Sequence, residues 1–257
     1  MSSIRLNGVS FFYKETNILD NVSLRIDHGE LVAIVGQNGT GKTTFMKLIS
    51  GLLEPTTGEI LIDGQNLGTL SAHNRAKAVS FTPQNPILPS QVSVFDFVML
   101  GRNSHLSLLE WETSADIRLV EEALVSTGIG RLRNRYITEL SSGELQRVMI
   151  SMSIVQQAKI SLLDEPTSNL DIANQSSIMK LILKNHKING TTTLITMHDL
   201  TLSAQYSERM ILLHEGKIHS DGSTSEVLTK TNIKSTYGVE VEIINHPVTG
   251  SPIIVPC

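Results

Sequence analysis

The most informative segment of this 257-residue chain is Gly36-Gln37-Asn38-Gly39-Thr40-Gly41-Lys42-Thr43. It fits the pattern G-x-x-x-x-G-K-[ST] of a phosphate-binding loop, and its flanks predict a buried strand at residues 30–35 and a helix at residues 44–49. Glycines let backbone amides curl around an anion, Lys42 supplies a positive charge, and the Thr43 hydroxyl can bind Mg²⁺. Because a strand precedes the loop and a helix follows it, the segment predicts a nucleotide phosphate site.

The composition is that of a globular chain, with 40% apolar and 18% charged residues. The net charge of -4 gives no basic field of the kind that binds nucleic acid, so nucleic acid is not expected as a partner. Cys257 is the only cysteine, so no intrachain disulfide can form and a reducing compartment is expected. The sequence has neither a long apolar run nor a signal-peptide core, which predicts a cytoplasmic chain that can still dock on a membrane protein.

Apolar periodicity places the loop in an α/β fold. Alternation predicts three short N-terminal strands at residues 4–6, 9–11 and 22–26, joined by polar turns. Between residues 85 and 158 helical spacing replaces the strand pattern, as at Val94, Phe97 and Val98. The sequence thus predicts a doubly wound sheet with a helical insertion, and a nucleotide at the carboxyl ends of the strands. Further strands are predicted at residues 59–64, 79–82, 160–164, 192–196, 210–213 and 239–244.

Two adjacent carboxylates lie at the end of the predicted strand at residues 160–164. Asp164 and Glu165 are adjacent, and successive side chains of a strand point in opposite directions. Asp164 can therefore hold Mg²⁺ beside the Thr43 hydroxyl, while Glu165 reaches a water in line with the γ-phosphate of ATP. In a chain that also has a phosphate loop, this pair indicates ATP hydrolysis rather than a plain turn at Pro166.

Other polar positions have both a structural and a functional interpretation. Ser141 and Glu144 match the S-x-x-E capping box of a helix running to about residue 157, whose free amides and dipole also suit a terminal phosphate. Gln84 and His198 each follow a predicted strand, where they could contact a magnesium shell or a γ-phosphate. For these two residues alone, a polar loop residue and a structural histidine are the commoner interpretations. The histidines at positions 28, 73, 105, 186, 214, 219 and 246 lack metal-ligand spacing and are expected in solvent.

Together these motifs resemble the ATP-binding cassette family over nearly the whole chain. The resemblance implies a P-loop NTPase, RecA-like core with a mixed sheet at residues 1–84 and 159–257, and an inserted helical subdomain at residues 85–158 that carries the signature motif. The similar segments are the phosphate loop extended to Thr44, the glutamine loop at Gln84, the signature Leu140-Ser141-Ser142-Gly143-Glu144, the second nucleotide motif at residues 160–165, the D-loop Ser168-Asn169-Leu170-Asp171 and the switch histidine His198.

The resemblance also implies which residues hold ATP and Mg²⁺. In this family an aromatic ring stacks on adenine, and Tyr13 is the matching residue, although without the family it is an ordinary strand aromatic. Residues 36–44 are expected around the phosphates, and Glu165 is expected to act as the general base. The expected magnesium set is Thr43, Gln84 and Asp164, and the expected catalytic set is Glu165, His198 and Gln84.

Cassettes of this family pack head to tail, which implies a dimer with two composite ATP sites. The signature residues Ser141, Ser142, Gly143 and Glu144 of one copy would close on the γ-phosphate held by the other, with Asp171 at the dimer contact. The sequence departs from the family in two places. Ser142 stands where a glycine is usual, and we expect its side chain to restrict the loop without abolishing activity. Residues 150–154 read Ile-Ser-Met-Ser-Ile, where an Ala-Arg-Ala type of sequence is common.

A finer resemblance concerns transport. Residues 98–102 with His105, and the tail at residues 246–252, look like the ATPases of importers for iron-siderophore complexes, haem and cobalamin. In such systems a permease helix docks on the block at residues 85–109, and an extracytoplasmic binding protein delivers the cargo. We therefore expect a peripheral ATPase at the cytoplasmic face of the cell membrane, serving an importer of chelated iron or a similar metal complex. Haem, cobalamin and molybdate are alternative cargoes.

Three other classes remain as alternatives at this point. A soluble cassette without a transport role would need a tandem second cassette or a long coiled coil, and the sequence contains neither. A phosphotransferase built on the same loop has no use for the signature, Asp171 or His198. An exporter subunit is the nearest alternative, although exporter cassettes are often fused to membrane spans.

Overall fold

The fold was obtained as a computed structural model, which describes residues 2–107 and 110–257. Met1, Leu108 and Leu109 lie outside the described residues, so the end of the block expected to receive a permease helix is not covered. The strands are β1 (Ser2–Tyr13), β2 (Thr16–Asp27), β3 (Leu31–Val35), β4 (Thr57–Ile62), β5 (Gln65–Asn66), β6 (Val79–Thr82), β7 (Ile160–Asp164), β8 (Thr192–Met197), β9 (Arg209–His214), β10 (Lys217–Ser223), β11 (Val241–Asn245) and β12 (Pro252–Pro256). The helices are α1 (Lys42–Ile49), α2 (Ala72–Ala78), α3 (Val94–Met99), α4 (Ser114–Ser126), α5 (Ser142–Gln156), α6 (Ile172–Asn189), α7 (Leu200–Tyr206), α8 (Thr224–Val227) and α9 (Lys230–Tyr237).

A six-stranded sheet forms the centre of the fold, in the order β10-β9-β3-β8-β7-β6. Five of these strands run parallel, and β10 adds an antiparallel edge, so the sheet is mixed as expected. Every residue of β7 and β8 is buried. Strands covered on both faces are apolar runs rather than alternating ones, which is why the pattern at residues 160–164 identifies β7 to the residue.

The parallel arrangement brings four strand ends to one edge of the sheet. Val35 at the end of β3 pairs with Met197 at the end of β8, and Asp164 at the end of β7 pairs with Thr196. Thr82 ends β6 beside Leu163. The loops that follow these strands therefore start next to one another, and they hold the phosphate loop, Gln84, Glu165 and His198.

The N-terminal strands differ from the expectation. Residues 4–6 and 9–11 belong to one strand, β1, rather than to two strands separated by a turn. The pairing with β2 shifts register between Leu6 and Val9, so the Asn7-Gly8 step is a bulge inside the strand. A four-stranded antiparallel sheet results, in the order β2-β1-β4-β5, and its apolar face packs with α1 in the largest hydrophobic cluster.

The helical block between β6 and β7 has a hydrophobic cluster of its own. Helices α3, α4 and α5 supply buried residues such as Phe97, Val120 and Val148 to this cluster. The spacing at Val94, Phe97 and Val98 correctly identifies the buried face of α3. The subdomain limits at residues 85 and 158 stay a prediction.

Arg102 joins the parts of this block. Its Nε donates to Asp116 Oδ1 over 2.8 Å, and its Nη1 donates to the Val155 carbonyl, near the C-terminus of α5, over 2.7 Å. Asp116 also accepts hydrogen bonds from the Thr113 backbone and hydroxyl, and these bonds, with Arg102, lower the pKa of Asp116 from 3.8 to about 2. A buried cation is thus paired with a carboxylate and placed where a helix dipole favours it.

The C-terminal residues fold against the core as α8, α9 and the hairpin β11-β12. The sequence predicts a strand at residues 239–244, close to β11, and misses β12. Ile254 of β12 donates its backbone N–H to Thr201 Oγ1 of α7 over 3.1 Å. Within residues 2–107 and 110–257, no helix combines the length and apolar character needed to cross a membrane.

Replacing Arg102 tests the buried pair. We expect Arg102→Met to lower the free energy of unfolding by about 3 kcal/mol near neutral pH, because it leaves the Asp116 carboxylate buried without its cation, with only the hydrogen bonds from Thr113. Lys234→Met is the matched control, since Lys234 pairs with Glu240 in solvent, and it should change stability by less than about 1 kcal/mol. Equal effects of the two substitutions in denaturant titration would contradict this account.

The Asp116 carboxylate should make stability dependent on acidity. Its folded-state pKa of about 2 lies below its ordinary value of 3.8, so its contribution is present above pH 3.8 and is lost as the pH falls through about 2. The destabilisation caused by Asp116→Asn should therefore be largest near pH 6 and shrink between pH 4 and pH 2. A difference that stays constant over this range would contradict the assignment.

Candidate functional site

The loop between β3 and α1 has the backbone geometry of a phosphate cradle. Gly36 has φ +155°, and a Cβ there would lie 2.4 Å from the Leu213 carbonyl oxygen. Gly41 has φ +97° and its Cβ would lie 3.0 Å from the Ile18 carbonyl oxygen. Only glycine fits these two positions, which is why the spacing of the motif is fixed. Helix α1 begins at Lys42, two residues earlier than expected, so its first amides belong to the loop.

Lys42 lies inside this loop rather than in solvent. Its Nζ donates to the Gly36 carbonyl over 2.8 Å and to the Gln37 carbonyl over 3.1 Å. Burial lowers the pKa of Lys42, while the charges of Glu165 and Asp164 oppose that shift. The ammonium is therefore fixed by two carbonyls at the mouth of the loop and faces two carboxylates, an arrangement suited to an anion with a bound metal cation.

Thr43 and Asp164 meet as the sequence predicts. The Thr43 hydroxyl donates to Asp164 Oδ2 over 2.9 Å, although the two residues are 121 positions apart. Asp164 is buried, and its second oxygen accepts from the Thr196 hydroxyl over 2.6 Å. A hydroxyl and a carboxylate at this distance are hard oxygen donors of the type that Mg²⁺ prefers.

Glu165 is the meeting point of the other polar side chains. Gln84 Nε2 donates to Glu165 Oε2 over 2.7 Å, and His198 Nδ1 lies 3.6 Å from the same oxygen. Lys42 Nζ lies 4.0 Å from Glu165 Oε1. Glu165 has φ +47°, an unusual conformation for a residue with a side chain, of the kind that is concentrated at functional sites. Gln84, His198 and Glu165 are thus brought together, with Gln84 oriented to the carboxylate of Glu165.

The residues present fit a magnesium nucleotide. Gly39 has open space where a Cβ would lie, so the tip of the loop can be approached closely by a ligand. The loop amides and Lys42 would hold phosphate oxygens, and Thr43 with Asp164 would hold the metal. Bound there, Mg²⁺ would neutralise phosphate charge, and the chain itself supplies the carboxylate of Glu165 beside it.

Thr196 is a site residue that the sequence does not identify. It is fully buried in β8, where its hydroxyl donates to Asp164 and accepts the Glu165 backbone N–H over 2.8 Å. The single hydroxyl therefore fixes both members of the carboxylate pair. In the sequence Thr196 is only a β-branched residue of a strand, and the one available hint is a polar residue two positions before His198.

The signature motif forms the start of α5. Ser141 is the N-cap, its hydroxyl accepts from the Glu144 backbone, and the Glu144 side chain accepts from the Ser141 N–H over 3.0 Å. The hydrogen bonds that the Glu144 carboxylate accepts from the Ser141 N–H and hydroxyl lower its pKa. Ser141 and Ser142 are exposed, whereas Gly143 is buried against Asn174 of α6. The capping box predicted from the sequence is present, and Ser141 and Ser142 remain on the surface.

Tyr13 and Asp171 are both exposed. Tyr13 ends β1, packs edge-on against Phe11 with ring centroids 4.8 Å apart, and is 46% exposed. The neighbouring strand β2 reaches the phosphate loop, since the Ile18 carbonyl lies against Gly41. Asp171 is the N-cap of α6 and accepts the Asn174 N–H over 2.7 Å.

The expectation that seven histidines lie in solvent is wrong for His105, His186, His214 and His246, which are half-buried. The rings of His105 and His186 hydrogen-bond the carbonyls of Gln156 and Thr191 over 2.8 Å.

The unusual serines of α5 have partners on neighbouring elements. Ser151 Oγ lies 2.8 Å from Thr127 Oγ1, and Ser153 Oγ lies 2.9 Å from Ser80 Oγ. Each serine exchanges a hydrogen bond with a hydroxyl from a neighbouring element.

Comparisons with known proteins identify the family of this chain. The profile of the ABC transporter family matches residues 19–168. MJ0089 of Methanocaldococcus jannaschii, an uncharacterized ABC transporter ATP-binding protein, is 41% identical over 98% of this chain and 97% of its own length. The ferric enterobactin transport ATP-binding protein FepC of Escherichia coli is 33% identical over 99% and 95% of the two chains. The petrobactin import ATP-binding protein FpuD of Bacillus anthracis is 32% identical over 99% and 93%.

Solved structures of ABC cassettes superpose on this chain over most of its length. A chain from an inward-facing transporter described as of the metal-chelate type superposes with a TM-score of 0.87 and 26% identity, over 100% of this chain and 98% of that one. The dimeric cassette MJ0796 gives a TM-score of 0.78 and 28% identity, over 86% and 98%. The chain has the P-loop NTPase fold of these cassettes.

The chain belongs to the ABC transporter family. It is an ATPase of that family, in which hydrolysis of ATP is coupled to transport.

Substituting Thr196 tests the geometry of the carboxylate pair. Thr196→Val keeps the shape of the side chain but removes the hydroxyl from Asp164 and Glu165, so we expect ATPase activity to fall about tenfold and stability to fall by about 1–3 kcal/mol. Thr196→Ser keeps the hydroxyl and is the matched control, with activity close to that of the parent. Steady-state ATPase assays in which both variants behave alike would contradict the role given to Thr196.

Proposed function

We propose that this chain is the ATP-hydrolysing subunit of an importer for an iron-siderophore or similar metal-chelate complex. The observation that carries the proposal is the cluster of Lys42, Thr43, Asp164, Glu165 and His198 at one sheet edge, in a chain whose relatives match over its whole length. Those relatives are named for transport of ferric enterobactin, petrobactin and iron(3+)-hydroxamate. Because the cargo does not bind this chain, its geometry supports the ATPase role and the names support the cargo class.

Within the site we assign roles by contact. Lys42 and the amides of residues 36–44 hold the phosphates, and Thr43, Asp164 and Gln84 hold Mg²⁺. Glu165 accepts a proton from the attacking water. Gln84 orients the Glu165 carboxylate, and His198, beside the same carboxylate, contacts the γ-phosphate. Tyr13 offers the exposed ring on which adenine stacks.

We further propose that two copies form a head-to-tail dimer. Ser141 and Ser142 are exposed at the N-terminus of α5, where free amides and the helix dipole attract an anion. Beyond its own helix, the atoms nearest to a Cβ placed on Gly143 belong to Asn174, not to the phosphate loop of the same chain. The signature would therefore contact a phosphate bound to the second copy, and the related cassette MJ0796 is dimeric.

A membrane permease is the partner that this function requires. The proposed contact is the block at residues 85–107, where Ile87 is 98% exposed and Leu100 is 44% exposed. Apolar side chains left in solvent at the entry to the helical block suit a docked helix. This contact would hold the chain on the cytoplasmic face of the membrane, with the extracytoplasmic binding protein on the opposite face.

Copurification tests the transport role. Tagged protein would be captured from detergent-solubilised membranes of its source cells, and partners present in equal amounts would be identified. We expect a polytopic permease, whose binding protein can then be screened with iron-siderophore complexes, haem, cobalamin and molybdate. Capture of only soluble partners or ribosomes would overturn the importer proposal and favour a soluble cassette.

Replacing the proposed base tests the chemistry. Glu165→Gln should reduce ATP turnover by about 10²–10⁴-fold, because it removes the proton acceptor while keeping the size of the side chain and a hydrogen-bonding partner for Gln84. ATP should then accumulate in a stable dimer, measured by size exclusion with Mg²⁺ and ATP.

Lys42→Ala provides the control for nucleotide binding. Added to Glu165→Gln, it should abolish the dimer, because the phosphates lose their cation. Normal turnover in Glu165→Gln would show that Glu165 is not the base.

A further inference from the structure

Asn174 lies where the D-loop meets the signature motif of the same chain. Its Nδ2 donates to Asp171 Oδ2 over 3.0 Å, and its backbone N–H donates to Asp171 Oδ1 over 2.7 Å. A Cβ placed on Gly143 would lie 3.3 Å from both Cγ and Oδ1 of Asn174. The amide of one half-buried side chain thus holds the cap of α6 and packs on the first turn of α5.

A second contact follows one helical turn further along both helices. Arg147 of α5 donates from Nη2 to Ser177 Oγ of α6 over 2.6 Å, and from Nη1 to the Thr127 carbonyl over 2.8 Å. Residues 143 and 147 are four positions apart, and residues 174 and 177 are three apart, so each pair occupies one face of its helix. The first turns of α5 and α6 are therefore packed side by side and cannot shift independently near Gly143.

This packing presents two motifs on one exposed surface. Ser141 and Ser142 are exposed at the start of α5, and Asp171 is exposed at the start of α6. Ile172, the first residue of α6, is 85% exposed beside them. All four residues lie within one turn of the contact between Gly143 and Asn174.

We propose that Asn174 is a positioning residue that sets the D-loop and the signature motif in one fixed arrangement, so that both reach the second copy together. The proposal rests on the head-to-tail dimer given above. It adds Asn174 to the residues on which that dimer depends, although Asn174 is not among the residues assigned to phosphate or metal. In this role the amide group has two functions: its nitrogen fixes the Asp171 carboxylate, and its other face limits how Gly143 can approach the opposite site. Asn174 acts through these neighbours.

Asn174→Ala separates this role from folding. The backbone N–H that caps α6 is retained, while the side-chain bond to Asp171 and the contact with Gly143 are lost. We expect the thermal midpoint without nucleotide and the affinity of the monomer for ATP to stay unchanged. In the Glu165→Gln background, the dissociation constant of the ATP-bound dimer should rise about tenfold, because the second copy then has to bind Asp171 and Gly143 without the intrachain contacts that position them, which are worth roughly one hydrogen bond. Without that substitution, kcat should fall with little change in KM.

Asn174→Asp distinguishes the two contacts. It keeps the size of the side chain against Gly143 but places a second carboxylate beside Asp171, so we expect the dimer to weaken at least as much as with Asn174→Ala. Salt should partly restore this variant and not the alanine variant, because only the former introduces charge repulsion.

Asn185→Ala is the matched control on the same helix. Asn185 accepts a side-chain hydrogen bond from Asn189 near the other end of α6, so its loss should leave dimer and kcat unchanged. Dimerisation of Asn174→Ala equal to that of the parent would overturn the role of Asn174 while leaving the proposed function intact. Failure of the Glu165→Gln parent to form any dimer with Mg²⁺ and ATP would overturn both the head-to-tail arrangement and this inference.

Discussion

The parallel pairing of β3, β6, β7 and β8 is the constraint on which the site depends. Because these strands run in the same direction, the residues that follow them gather at one edge, even when they are more than a hundred positions apart. The 2.9 Å bond between Thr43 and Asp164 and the 2.7 Å bond between Gln84 and Glu165 follow from that register. A shift of one residue in β7 would turn Asp164 to the opposite face.

The buried charges at this edge of the sheet have hydrogen-bonding partners within the chain. The face of the site that would meet the nucleotide stays open. Lys42 is tied to two backbone carbonyls, and Asp164 accepts from two hydroxyls, so each charge has partners before any ligand arrives. Burial lowers the pKa of Lys42, and the nearby carboxylates offset that effect. Fixed dipoles and charges of this kind need little rearrangement when phosphate charge develops in hydrolysis.

Local patterns in the sequence predict much of this molecule, and pairing between distant strands accounts for what they miss. β6 and β7 are predicted to the residue, since β7 is a mostly apolar run buried on both faces and β6 ends directly before Pro83. The capping box of Ser141 and Glu144 likewise marks the start of α5. The bulge at Gly8 appears as a turn because only the partner strand reveals that pairing resumes after it. Thr196 escapes detection for the same reason, since its role depends on β8 lying beside β7.

Cross-linking between two copies tests the central claim most directly, namely that the start of α5 in one chain closes on the phosphate loop of the other. One chain would carry Asn38→Cys and a differently tagged chain Ser142→Cys, both with Cys257→Ser and Glu165→Gln. The account predicts that a short thiol cross-linker yields a species containing both tags only when Mg²⁺ and ATP are present. Links between two Asn38→Cys chains, or no mixed species with ATP, would contradict the head-to-tail composite site.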